Sequence, residues 1–178
     1  YSIHIDFVTI GTDILEHNIA LDRIKYMLSV QLDSTVFIRD NETDAIKKLT
    51  ELGIKTTPLP EEPIDQVIGI ALYCKLNAIM EGRMEITTLS ISSELGEDVI
   101  YYHDAEDALG PFTKEGWWTD NEISTFVKGK FQVKDNVVRI SKDQHWSDVG
   151  LDWVALEDIE DDAGNEPSTV VTFEKQDK

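Results

Sequence analysis

The chain has 178 residues, 41% of them hydrophobic, enough to bury one packed core and too apolar for wholesale disorder. Against 16 Lys and Arg stand 35 Asp and Glu, a formal net charge of −19; such a surface repels phosphate backbones and anionic lipid, which argues against direct nucleic-acid binding and membrane docking. One cysteine, Cys74, excludes an intramolecular disulfide and any multi-cysteine metal cluster.

In chain order, 3-IHIDFVTI-10 alternates as a strand, with Ile3, Ile5 and Phe7 on one face and His4, Asp6 and Val8 on the other. Gly11-Thr12 breaks it. Asp13 is placed to cap a helix over 14–32, with Glu16 reaching back to the cap amide and Leu15, Ile19, Ile24, Met27 and Leu28 available to bury. A strand over 35–38 precedes a helix over 41–53, which has Asn41 as its cap and Gly53 just past its end. After a strand over 54–58, a third helix opens at Pro63 and closes at Gly82. Its core, 64-IDQVIGIALYCKLNAIM-80, is apolar on nearly every side and predicts a central helix, with Cys74 as a buried structural thiol. This alternation is that of an α/β unit with parallel strands.

The second half changes character. Segments 85–93 and 98–103 alternate and predict a hairpin; 124–133 and 137–141 predict another, turning at Asp135-Asn136. Between them runs a loop, 104–123, rich in Asp, Glu, Gly and Trp. Residues 1–90 hold 14 acids and 8 bases, residues 91–178 hold 21 and 8, and no base falls between Asp143 and Lys175. Segment 157–168 reads as a solvated acidic linker or tail, and 169-TVVTFEK-175 as a returning edge strand. The expected fold is therefore mixed α/β (α+β): a βαβαβα half over 1–83 continued by antiparallel hairpins over 84–156 into one mixed sheet, with 157–178 as the tail. No stretch reaches the roughly 18 apolar residues of a membrane span, no basic-then-apolar leader is visible, and a cytoplasmic location is the expectation.

Catalytic signatures are weak. The first strand–helix turn, 10-IGTDIL-15, has one glycine and places an aspartate where a phosphate would sit, which argues against a nucleotide site. No G-x-S-x-G elbow occurs. The histidines are His4, His17, His103 and His145; His103-Asp104 is the one adjacent His-Asp pair, but neighbours on a strand point to opposite faces. Asp158, Glu160 and Asp162 alternate as in a calcium loop, yet Gly164 comes one place late and Thr169 closes nothing. No catalytic, cofactor-binding or metal residue is therefore assigned, and no cofactor is expected.

All four tryptophans, Trp117, Trp118, Trp146 and Trp153, lie in the acidic half, and Trp117-Trp118 follow Gly116 in a loop where at least one ring is expected to be partly exposed. Tryptophan amid charge is the composition of a binding hot spot; the competing reading is that the rings cover the open face of the β half. The candidate contact residues are Asp104, Glu106, Asp107, Trp117, Trp118, Asp120, Glu122, Trp146, Asp148, Asp152, Trp153, Glu157, Asp158, Glu160, Asp161 and Asp162. Together they predict a non-enzymatic protein-binding module whose partner is a protein, in the first instance a basic or DNA-binding host protein. Its specific form would be an inhibitor encoded by a virus or mobile element, acting as a DNA mimic or as a protease or nuclease antagonist. The alternatives are a structural subunit of a larger assembly and a small metal-dependent hydrolase using His103 and Asp104.

Overall fold

The computed structural model describes residues 1–96, 99–125 and 144–153; among them, three α-helices and five strands form a mixed α+β arrangement. Strand β1 (Ser2–Thr9) buries Ile5 and Phe7 and leaves His4 and Val8 outside, as its alternation predicts. Gly11 turns the chain at φ +79°, and the Asp13 carboxylate accepts the Leu15 N–H at 2.8 Å to cap α1 (Ile14–Tyr26). Two expectations fail in this helix. Glu16 does not reach back to the cap; it is buried and accepts a hydrogen bond from Arg83 Nε. Leu15 is exposed, because the buried stripe runs through Glu16, Ala20, Arg23, Ile24 and Met27 instead. The last turn widens to π geometry over Met27–Gln31, with the Leu32 N–H bonded to Met27 O.

Strand β2 (Val36–Arg39), helix α2 (Thr43–Glu51) and strand β3 (Thr56–Leu59) form a β-α-β unit with β2 and β3 parallel, Val36 opposite Thr56. Asn41 is not the cap of α2; Glu42 holds that position without a side-chain bond. Lys55 Nζ donates to the carbonyls of Val30, Gln31 and Asp33 and so ties the exit of α1 to the entry of β3. Pro63 stands one residue before the cap Ile64 of α3 (Asp65–Met80), which ends through left-handed Glu81 and Gly82. As its composition predicts, α3 is the central element, with Ile68, Leu72, Leu76, Ile79 and Met80 fully buried.

Strands β4 (Met84–Ser92) and β5 (Tyr101–Asp104) form the predicted hairpin. The strands do not join one mixed sheet among the described residues. β1 pairs antiparallel with β4 in a three-stranded sheet of order β1-β4-β5, and β2-β3 stand as a separate parallel pair. Length accounts for the choice: β1 and β4 match over almost their whole extents, whereas the four-residue β2 would leave half of the β1 backbone groups unpaired.

Helix α3 lies on the inner face of this sheet, close enough that a Cβ at Gly69 would sit 2.9 Å from Tyr101 Cδ1 and 3.0 Å from Ile91 Cγ2. The outer face carries polar rows read directly from the register: His4, Ser90 and Tyr102 in one, Asp6, Thr88 and Asp104 in the next. The predicted hairpin over 124–133 and 137–141, the acidic segment 157–168 and the edge strand 169–175 lie outside the described residues, apart from Ser124 and Thr125.

Candidate functional site

The His-Asp pair at the end of β5 is divided by the pleat. His103 is fully buried and Asp104 exposed, on opposite faces, so the two side chains do not address one ion or one substrate atom. His103 Nδ1 lies 3.1 Å from the Tyr101 hydroxyl and 4.0 Å from Asp107 Oδ2, its ring meets the edge of Tyr73 from α3 at 4.5 Å, and Nε2 is buried without a hydrogen-bond partner among the described residues. Burial lowers the His103 pKa below its ordinary 6.5, while the carboxylates of Asp107 and Asp104 hold it partly up.

The stability consequence has a definite sign. The folded state takes up this proton less readily than the unfolded chain, so stability is fully present above pH about 6.5 and declines as pH falls below that value. His103→Phe is expected to reduce this slope in urea midpoints measured from pH 7.5 to pH 5; an unchanged slope would show that the imidazole does not titrate against the fold.

The tryptophans occupy other positions than expected. Trp117 and Trp118 are 2% and 7% exposed, and Trp146 is 6% exposed; all three belong to the main core. Each indole N–H is held by a carbonyl: Trp117 donates to Pro58 O of β3 at 2.7 Å, Trp118 to Phe112 O and Lys114 O, Trp146 to Asn121 O. Gly116 is required beneath this arrangement, since a Cβ there would lie 2.4 Å from the Trp118 ring. The expectation of an exposed ring at Trp117-Trp118 is thus corrected: in a β half with little else to bury, indole area is worth more inside than out.

Trp146 and Trp153 clasp a cation. The Arg23 guanidinium stands 4.7 Å from the Trp146 ring centre and 3.8 Å from that of Trp153, and Arg83 covers Trp153 at 3.7 Å. Arg23 Nε donates to Leu151 O at 2.8 Å and Nη1 to Ile79 O at 3.2 Å; Glu81 and Glu16 supply the counter-charges to the two arginines. Burial, aided by Arg83, lowers the Arg23 pKa to about 10 against the pull of Glu81, so it stays charged at neutral pH. Residues 144–153 are thereby fastened to the end of α3 and the middle of α1.

The carboxylates remain outside. Asp104, Glu106, Asp107, Glu122, Asp148 and Asp152 are all exposed. Some also shape the backbone: Asp107 Oδ2 accepts the Asp104 N–H at 3.0 Å and Asp148 Oδ2 the His145 N–H at 3.0 Å. Asp120 differs from the other candidates, being half-buried and paired with the fully buried Lys75 at 2.7 Å. Glu157, Asp158, Glu160, Asp161 and Asp162 lie outside the described residues.

Among the described residues no three His, Cys, Asp or Glu side chains are grouped to hold a metal ion. Cys74 is half-buried in α3, with burial raising its thiol pKa to about 11. Beside the carboxylates runs an apolar edge that the alternation of 98–103 does not single out: Val99, Ile100 and Tyr102 are exposed. Compared with protein-family models, curated proteins and solved structures, the chain matches none.

Proposed function

We propose that this protein is a non-enzymatic binding module whose carboxylate-rich surface engages a basic protein partner. One observation carries the reading: charge is sorted between interior and surface. Arg23, Arg83 and Lys75 are drawn inward and paired with buried Glu16 and with Glu81 and Asp120, which stay partly open to solvent. These three bases and three acids cancel, so the excess of −19 falls on the remaining residues. Solubility alone calls for a net charge of about 2–8 in magnitude for a small domain. An excess well beyond that, gathered mainly in residues 91–178, favours a surface selected for attraction to a cationic partner. In its DNA-mimic form, the carboxylates stand in for phosphates and inhibit a partner by filling its DNA-binding groove.

The test is retention of host proteins on the immobilised full chain, with elution by salt and competition by duplex DNA. Reversing four or more of the acids between Asp143 and Glu166 is expected to weaken retention at least tenfold, whereas one reversal changes little, because a single exposed charge contributes only about 0–1 kcal/mol. Unchanged retention after the multiple reversal would sink the acidic-surface reading for that segment.

A further inference from the structure

We propose that the outer edge of β5 is where the partner docks, by adding one extended, basic strand to the three-stranded sheet. The proposal rests on the binding-module reading and specifies its contact.

The edge follows from the hydrogen bonds around β5. The Ala105 N–H donates to Thr87 O at 3.1 Å, toward β4. Asp104 faces the other way: its N–H goes to the Asp107 carboxylate, and its carbonyl accepts the Asp107 N–H at 2.9 Å. Backbone groups of an antiparallel strand alternate in direction, so Tyr102 presents its N–H and C=O on the same outer side. Among the described residues no strand pairs there. β5 carries no lysine, proline or bulge, devices that commonly blunt such edges.

The flanking side chains define the partner. Tyr102 is 59% exposed, Ile100 49% and Val99 67%. Ile100, Tyr102 and Asp104 fall at alternate positions, and Glu106 and Asp107 follow in the turn. Between Arg83 and Lys114 the chain has no lysine or arginine. An added strand running antiparallel would therefore read basic-x-apolar-x-apolar, its Lys or Arg opposite Asp104 and its apolar residues opposite Tyr102 and Ile100. A second copy of this chain fits poorly, because it would bring the same carboxylates to the same edge. Two segments of the chain outside the described residues are the competing occupants: 169–175, and 126–142 with Lys128, Lys130, Lys134, Arg139 and Lys142 among its apolar residues; the experiment below separates both from a partner.

The probe is a nine-residue peptide, Thr-Lys-Thr-Val-Thr-Val-Thr-Lys-Thr, one face of which reads lysine, valine, valine; it is titrated into the isotopically labelled full chain and followed by amide NMR. Shifts are expected at Ile100–Ala105, weakening as salt is raised. Tyr102→Pro removes the outward N–H without touching the β4 ladder; it is expected to lose at least tenfold in affinity, while Tyr102→Ala, which keeps the N–H, loses less. A peptide N-methylated at alternate residues on its pairing edge is expected not to bind.

Equal binding of the methylated peptide, or equal affinity of the proline variant, overturns the edge. Salt-sensitive shifts confined to other acidic residues overturn it too but leave the binding-module reading standing. If the peptide fails to bind and no host protein is retained on the full chain, both fall. Cross-strand contacts from 126–142 or 169–175 to Tyr102 in the free protein, or a dimer abolished by Tyr102→Pro, would assign the edge to the chain itself and overturn the proposal.

Discussion

Arg23→Met is expected to destabilise the fold by about 3–5 kcal/mol, the range for breaking a buried, hydrogen-bonded charge pair from one side. The guanidinium does several things that methionine cannot. It stacks between Trp146 and Trp153, and desolvated cation–π contacts are worth about 2 kcal/mol or more. It also satisfies Leu151 O and Ile79 O, the first within the docked segment and the second near the end of α3. Without it, Glu81 keeps only Arg83 and the amide of Asn121 among the described residues, and Trp153, whose indole N–H has no hydrogen-bond partner among those residues, loses the cation on one of its faces.

The docked segment should therefore loosen before the rest of the fold. Tryptophan emission is expected to shift to the red in Arg23→Met under native conditions, ahead of the main urea transition. Arg23→Lys should recover only part of the loss, since an ammonium has neither the planar face nor the fork that bridges the two carbonyls. A cost below about 1 kcal/mol for Arg23→Met would show that the segment is held by apolar burial and not by the cation.

Much of this architecture is legible in the residues, and the failures have specific causes. The alternation of β1, the apolar girth of α3 and the β4–β5 hairpin all follow from local pattern, and the structure realises each. The pairing of β1 with β4 instead of β2 is a contact between distant segments, on which local periodicity is silent. The buried cations did leave a trace. Glu16, Ala20, Arg23, Ile24 and Met27 fall at i, i+4, i+7, i+8 and i+11, so two charges sit on the stripe that a helix of this period buries. Lys75 stands likewise between Leu72 and Ile79 on α3. A charge on the apolar stripe implies a buried partner, and reading the stripe by position would have found both networks. The tryptophans had no such trace: Gly116-Trp117-Trp118 has no periodicity, and whether a loop indole packs or projects depends on carbonyls far away in sequence, such as Pro58 O.

Lys75 and Asp120 offer the second large effect, because removal of the two partners should have unequal costs. Lys75 is fully buried, and its ammonium donates to Asp120 O at 3.0 Å and Oδ1 at 2.7 Å. Burial lowers its pKa, while the bond to Asp120 and the nearby charge of Glu122 raise it back in part. Asp120→Ala strands the cation with a single carbonyl. The expected cost is about 2–3 kcal/mol, below the 3–5 of a fully enclosed pair, because Asp120 is partly open to solvent. Lys75→Met keeps the volume and removes the charge, leaving Asp120 to water, and should stay within about 1.5 kcal/mol of the parent.

The same asymmetry sets an alkaline pH dependence. The folded pKa of Lys75 lies below the unfolded value of about 10.5, so the penalty for burying its charge is fully present below the folded pKa and is relieved as pH rises between the two. This contribution to stability should therefore rise with pH in that window. It should vanish in Lys75→Met and extend to lower pH in Asp120→Ala, where the ammonium has lost its counter-charge. Urea midpoints of the three proteins between pH 7 and pH 10.5 decide it. Equal costs for the two substitutions, with identical pH slopes, would mean that Lys75 reaches solvent and that the pair at the base of the 105–125 loop is a surface contact.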